Sequence, residues 1–103
     1  MSIWFRPTTI EQVNALFAGV RDISQHLDLR LTEIGDDFLR GTLPVDERTR
    51  QPFGLLHGGA NAVLAETLGS VASNLVIDSS KFHAVGQEIS ANHLRSARSG
   101  RVT

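Results

Sequence analysis

The sequence predicts an α+β fold, an antiparallel sheet laid against one long helix. Three observations carry this. Leu27, Leu29 and Leu31 alternate with Asp28, Arg30 and Thr32 within residues 26–34, the period of a half-buried strand. Gly35-Asp36-Asp37 then turns the chain into a second such run over residues 38–45, which predicts an antiparallel hairpin. Residues 58–77 are the most apolar segment, and Glu66 is the one formally charged side chain between Gln51 and Ile77.

The elements follow in order. Thr8 with Glu11 three residues on fits a helix cap, and the helix runs through Val13, Leu16 and Phe17 to end near Gly19. Pro44 puts the end of the second strand at an edge or bulge. Residues 46–49 fit one helical turn, and the long helix spans residues 58–77. Residues 81–94 read as a strand of mixed polarity, residues 96–100 as a turn, and residues 101–103 as the start of another strand. There is no repeat, linker or low-complexity stretch. A chain of 103 residues is expected to form a single domain over residues 1–103 with a thin core.

Ten basic and eleven acidic residues give a formal net charge of −1. That balance exerts no global pull toward nucleic acid or an anionic membrane. Only Lys81 among the ten cations is not Arg, a bias toward groups that grip carboxylate or phosphate. The chain has no Cys, so no disulfide framework and no thiolate metal site. His26, His57, His83 and His93 are scattered, and no metal or cofactor is called for. Residues 1–12 lack a signal-type apolar core. Residues 58–77 have the length of a membrane span, but Asn61, Glu66, Thr67, Ser70, Ser73 and Asn74 make them too polar for one. A soluble, cytoplasmic protein is the expectation.

On a helix of about 100° per residue, Ser70 lies about 40° from Glu66 and Ser73 about 20° to the other side. Asn74 and Thr67 flank them, with Gly59, Ala62 and Gly69 nearby. The helix is therefore apolar almost all round, the mark of a buried helix, with one narrow polar seam edged by small residues. A carboxylate buried there needs a donor or a proton. A bond to Ser70 and to backbone would satisfy it without any function, and the polar seam equally fits a cleft. His57-Gly58-Gly59 stands at the helix start, where free N–H groups and the positive dipole end meet. A plain glycine-rich helix entry and an oxyanion site both fit HGG. Pro52 stiffens the preceding loop, and Gln51 is placed to donate to the same oxygen. Gly58 and Glu66 are separated by about 12 Å along the helix at 1.5 Å per residue, whereas a reacting carbonyl must sit about 3 Å from both. Two antiparallel copies of the helix meet that need, so paired sites in a two-fold dimer are expected.

PVDERTRQPFGLLHGGANAVLAETLGSVAS followed by VGQEISANHLRSARSGRV closely resembles the hotdog-fold acyl-CoA thioesterases. The nearest subgroup acts on aromatic acyl thioesters and includes the 1,4-dihydroxy-2-naphthoyl-CoA and proofreading thioesterases. The resemblance implies a curved antiparallel sheet wrapped around the helix, with subunits paired sheet to sheet as homodimers or homotetramers. It implies Glu66 as nucleophile or general base and the Gly58 N–H as oxyanion donor. Gln51 and His57 would shape the carbonyl site, and Ser70 would orient water. Gly86 and His93, Leu94, Arg95 and Ser96 match positions lining the CoA arm. Family members continue through further strands, so the resemblance also implies a domain truncated at its C-terminal side.

The same residues leave rivals. A hotdog hydratase or dehydratase would need His57 beside a second acid, and none lies near it. A non-catalytic dimer that binds acyl-CoA or an acyl carrier protein is the third reading. His93, Arg95, Arg98 and Arg101 suit the phosphates of CoA, although a solvated turn explains such a charge run as well. No aromatic residue lies between the cations to stack on bases. His26 and His83 are expected to be exposed, and Trp4 and Phe5 to anchor core or interface.

Overall fold

In the structure, a computed structural model describing residues 1–103, Thr9 rather than Thr8 begins helix α1, Ile10–Phe17. The Thr9 hydroxyl accepts from Gln12 N–H at 3.2 Å, and the Gln12 side chain accepts from Thr9 N–H at 2.9 Å, a complete capping box. The run TTIEQ holds two overlapping boxes, and Thr8 instead donates its hydroxyl to the Arg6 carbonyl at 2.8 Å. Val13 is fully buried on the inner face of α1, while Leu16 is exposed.

The expected strand over residues 26–34 starts late. Asp22 caps a short helix α2, Ile23–His26, by accepting from Gln25 N–H. Asp28 then adopts φ +56°, a left-handed conformation that Asp tolerates better than most residues. Strand β1 is therefore Arg30–Ile34, paired antiparallel with β2, Leu39–Pro44, in the register Arg30↔Thr42 to Ile34↔Leu39. A register shift between Leu31 and Glu33 lets Leu31 and Ile34 both turn partly inward, against strict alternation. Phe5 is half exposed, whereas Trp4 is buried and donates Nε1–H to the Gly35 carbonyl at 2.7 Å.

Residues 46–49 form the expected single turn, closed in helical fashion by Thr49 and Arg50 N–H groups on the Asp46 carbonyl, each at 3.0 Å. The buried Thr49 hydroxyl donates to the Pro44 carbonyl at 2.8 Å. Helix α3, Gly58–Val76, follows, and strand β3, Arg101–Val102, pairs with the free edge of β2 to complete a sheet of order β1-β2-β3. Arg101 ties that edge down. It donates to the Asp28 carboxylate at 3.0 Å, the Asp28 carbonyl at 2.6 Å and the Thr42 hydroxyl at 2.9 Å. Hydrogen bonds from Arg30 first, and Arg101 second, hold the Asp28 carboxyl below its ordinary range.

Leu64 of α3 meets Leu27 and Leu43 in the core, with Leu56, Val63 and Leu68 around them. Leu64 is the sole buried residue of α3, which corrects the expectation of a helix buried on all sides. The sheet is narrow and covers one face. Residues 81–94 also depart from expectation, since they form no strand. A strand is defined by hydrogen bonds to a neighbour, and this segment has no ladder partner within the chain. His26 and His83 are exposed.

Candidate active site

The loop before α3 is a small hairpin. Arg50 bridges Leu56, Gln51 N–H donates to the Leu55 carbonyl at 2.7 Å, and Gly54 N–H donates to the Gln51 carbonyl at 2.9 Å. Gly54 has φ +83°, which a side chain would resist. The Gln51 Oε1 accepts from Phe53 N–H at 2.6 Å and Leu55 N–H at 3.3 Å. Two donors on one oxygen settle the orientation of the amide. Its Nε2 is left as a donor at the cleft wall.

His57 caps α3, its Nδ1 accepting from Gly59 N–H at 2.8 Å. That bond requires an unprotonated Nδ1. His57 is thereby a helix cap, one residue before the Gly58 amide. The Gly58 N–H has no partner within the chain, as expected for a first-turn amide. It opens on a cleft of about 300 Å³ lined by Gln51, Gly58 and Asn61 on one side and by His93, Leu94, Arg95 and Ser96 on the other. The His93 ring rests on the Gly58 Cα.

Glu66 is half-buried in a different cleft, of about 280 Å³, with Gly69, Ser70, Ser73, Val85 and Gly86. The Ser70 hydroxyl donates to Glu66 Oε1 at 3.3 Å. A Cβ at Gly86 would collide with that carboxylate, so the glycine permits the contact. Gly86 therefore lies with the acid, apart from His93–Ser96 within the chain. Asn74 carries the neighbouring backbone on its amide, donating to the Ala84 carbonyl at 2.9 Å and accepting from Ala84 N–H at 2.9 Å.

Glu66 lies about 200° around the helix from Leu64 at 3.6 residues per turn, so it faces away from the sheet that Leu64 packs on. The chain thus brings together Gln51, Gly58 and His93–Ser96 at one site and Glu66, Ser70 and Gly86 at another. It does not unite the acid with the free amide. Two residues given no role by the sequence belong here. Asn61 lines the first cleft, and its place one turn after Gly58 was the available signal. The hold of Asn74 on Ala84 spans ten residues and had no local signal beyond its place on the polar seam.

Residues 53–103 match the thioesterase superfamily. The 1,4-dihydroxy-2-naphthoyl-CoA hydrolase of Escherichia coli is 55% identical over 100 residues, covering 97% of this chain and 71% of that protein. The proofreading thioesterase EntH of Cronobacter turicensis is 51% identical over 100 residues, covering 97% and 71%. A crystal structure of a mutant thioesterase from Pseudomonas aeruginosa superposes with a TM-score of 0.89 at 49% identity, covering 97% of this chain and 70% of that one. A thioesterase from Haemophilus influenzae gives 0.81 at 41% identity, covering 96% and 67%. No helix of the chain is long and apolar enough to cross a membrane. A sheet packed on one long helix, a half-buried acid in that helix and relatives at this identity lead to one conclusion: the chain belongs to the thioesterase superfamily, as a hotdog-fold thioester hydrolase.

Proposed function

We propose that the chain hydrolyses aromatic acyl-CoA thioesters in the cytoplasm, at sites shared between two copies related by a two-fold axis. One observation carries the reading: Glu66 and the unpartnered Gly58 N–H occupy separate clefts on the same helix. Antiparallel pairing of two α3 helices would set the acid of one copy against the amide of the other. Residues 85–96 support such pairing, because they make no backbone–backbone hydrogen bond within the chain. Free ladder groups of this kind invite a second copy. The CoA substrate and its aromatic acyl group rest on the relatives, of which one is named for a naphthoyl-CoA ester.

In this reading the thioester carbonyl lies at the α3 entry. The Gly58 N–H and Gln51 Nε2 receive the charge that develops on its oxygen. Glu66 from the second copy attacks the carbonyl carbon, or takes the proton of a water that does, with Ser70 orienting the attacking group. On the water path, the water oxygen forms the C–O bond as the C–S bond breaks, and Glu66 holds the proton that is then passed to the thiolate. On the direct path, the C–O bond forms to Glu66 as the C–S bond breaks, and a water then cleaves that acyl anhydride to restore Glu66. Either way the thioester and one water give the free acid and CoA. A thiolate is a far weaker base than an alkoxide and leaves without a strong acid. His93 and Arg95 border the path of the CoA arm.

Glu66→Gln is expected to lower thiol release by about a hundredfold to ten-thousandfold, the usual scale of a lost base, with CoA affinity retained. Mixing inactive Glu66→Gln and Gln51→Ala chains should restore about one quarter of the sites, since half the dimers then hold one intact site. Full turnover by Glu66→Gln defeats the catalytic assignment. An inactive mixture of properly exchanged chains defeats the shared site.

A further inference from the structure

Asn74 stands eight residues beyond Glu66 on α3, at the far end of the polar seam. Its Nδ2 donates to the Ser70 carbonyl at 2.8 Å and to the Ala84 carbonyl at 2.9 Å. Its Oδ1 accepts from Ala84 N–H at 2.9 Å. One side chain thus supplies both bonds that a neighbouring strand would give Ala84. The next twelve residues, 85–96, make no backbone–backbone hydrogen bond in the chain. Ala84 is therefore where this stretch is fastened to α3. Two residues on, Gly86 lies flush against the Glu66 carboxylate.

We propose that Asn74 is a positioning residue for thioester hydrolysis, pinning Ala84 so that the Gly86 backbone is held over the Glu66 carboxylate. The inference rests on the reading of Glu66 as the reacting acid. Held this way, the carboxylate has Gly86 on one side and the Ser70 hydroxyl on Oε1. Loss of the pin frees the segment and widens the range of side-chain positions open to Glu66. Small misplacements of a reacting group lower the rate more than they weaken substrate binding.

The test uses benzoyl-CoA as probe, with thiol release measured well below each variant's Tm. Asn74→Ala removes the pin. Asn74→Asp keeps the shape and the acceptor for Ala84 N–H but loses the donor, and serves where Asn74→Ala does not fold. Both should lower kcat at least about tenfold while KM stays within about twofold, as expected for lost positioning. Gly86→Ala should also lower kcat. Combined with Asn74→Ala it should cost less than the product of the two single effects, because both act on one contact. Unchanged kcat in the Asn74 variants, an effect confined to KM or Tm, or full additivity with Gly86→Ala would overturn the role. Glu66→Gln run alongside separates the failures. If it retains turnover, the reading of Glu66 falls and this inference with it. If it is inactive while Asn74→Ala runs at the parent rate, only the Asn74 role is lost.

Discussion

The imidazole of His93 lies on the Cα of Gly58, where a Cβ would fall 2.8 Å from Nε2. The first amide of α3 and the start of the HLRS run are therefore one surface. Gly58→Ala adds a methyl group there. Alanine favours the helix over glycine by up to about 1 kcal/mol, and the exposed His93 can shift aside. The variant should keep or slightly raise Tm while thiol release falls, because the methyl group crowds the approach to the amide. Unchanged kcat/KM would show that this amide is not where the carbonyl binds.

Gln51 has two separable jobs. Its Oε1 closes the loop onto Phe53 and Leu55 N–H, which leaves Nε2 as the free donor of a residue that lines the cleft. Gln51→Glu keeps an acceptor for the loop, removes the donor and places a negative charge beside the developing oxyanion. A lost donor of this type costs about a hundredfold or more in kcat. The expected result is a near-parental Tm with kcat down on that scale. A Tm loss with kcat intact would make Gln51 a loop residue only.

Arg95 lines the Gly58 cleft and forms no ion pair within the chain. A guanidinium so placed suits the CoA phosphates. Arg95→Ala should raise KM for benzoyl-CoA severalfold, with the difference shrinking as salt rises. It should leave KM for a phosphate-free pantetheine thioester unchanged. Equal effects on both substrates would exclude a phosphate contact.

Asp28 contributes to acid sensitivity. Arg30 and Arg101 hold its carboxyl below the ordinary 3.8. A carboxyl depressed in the folded chain adds stability at pH above its ordinary value, and that stability is lost as pH falls through the folded value. Asp28→Asn suits the left-handed backbone at that position. It should reduce stability at neutral pH by about 1 kcal/mol or less, given the partial exposure of these pairs. The Tm gap between parent and variant should close below about pH 4. A gap constant down to pH 3 would mean that the carboxylate contributes nothing through its charge.

The sequence by itself determined the hairpin, the long helix with its lone acid, the glycine-rich helix entry and the strand beginning at Arg101. Each is written in a local pattern, a period of two or an unbroken apolar run, that neighbouring residues suffice to enforce. It also offered two equivalent caps at Thr8 and Thr9, and an alternation through Leu27 that the turn at Asp28 breaks. Tertiary structure alone decided two things. Residues 81–94 carry strand-like composition, but a strand exists only where another backbone meets its N–H and C=O groups, and none does here. The clasp of Asn74 on Ala84, which sets Gly86 against Glu66, joins residues with no shared local pattern. Periodicity records which side of an element is apolar. It does not record which distant backbone arrives there, and that arrival divides the acid from the free amide within one chain.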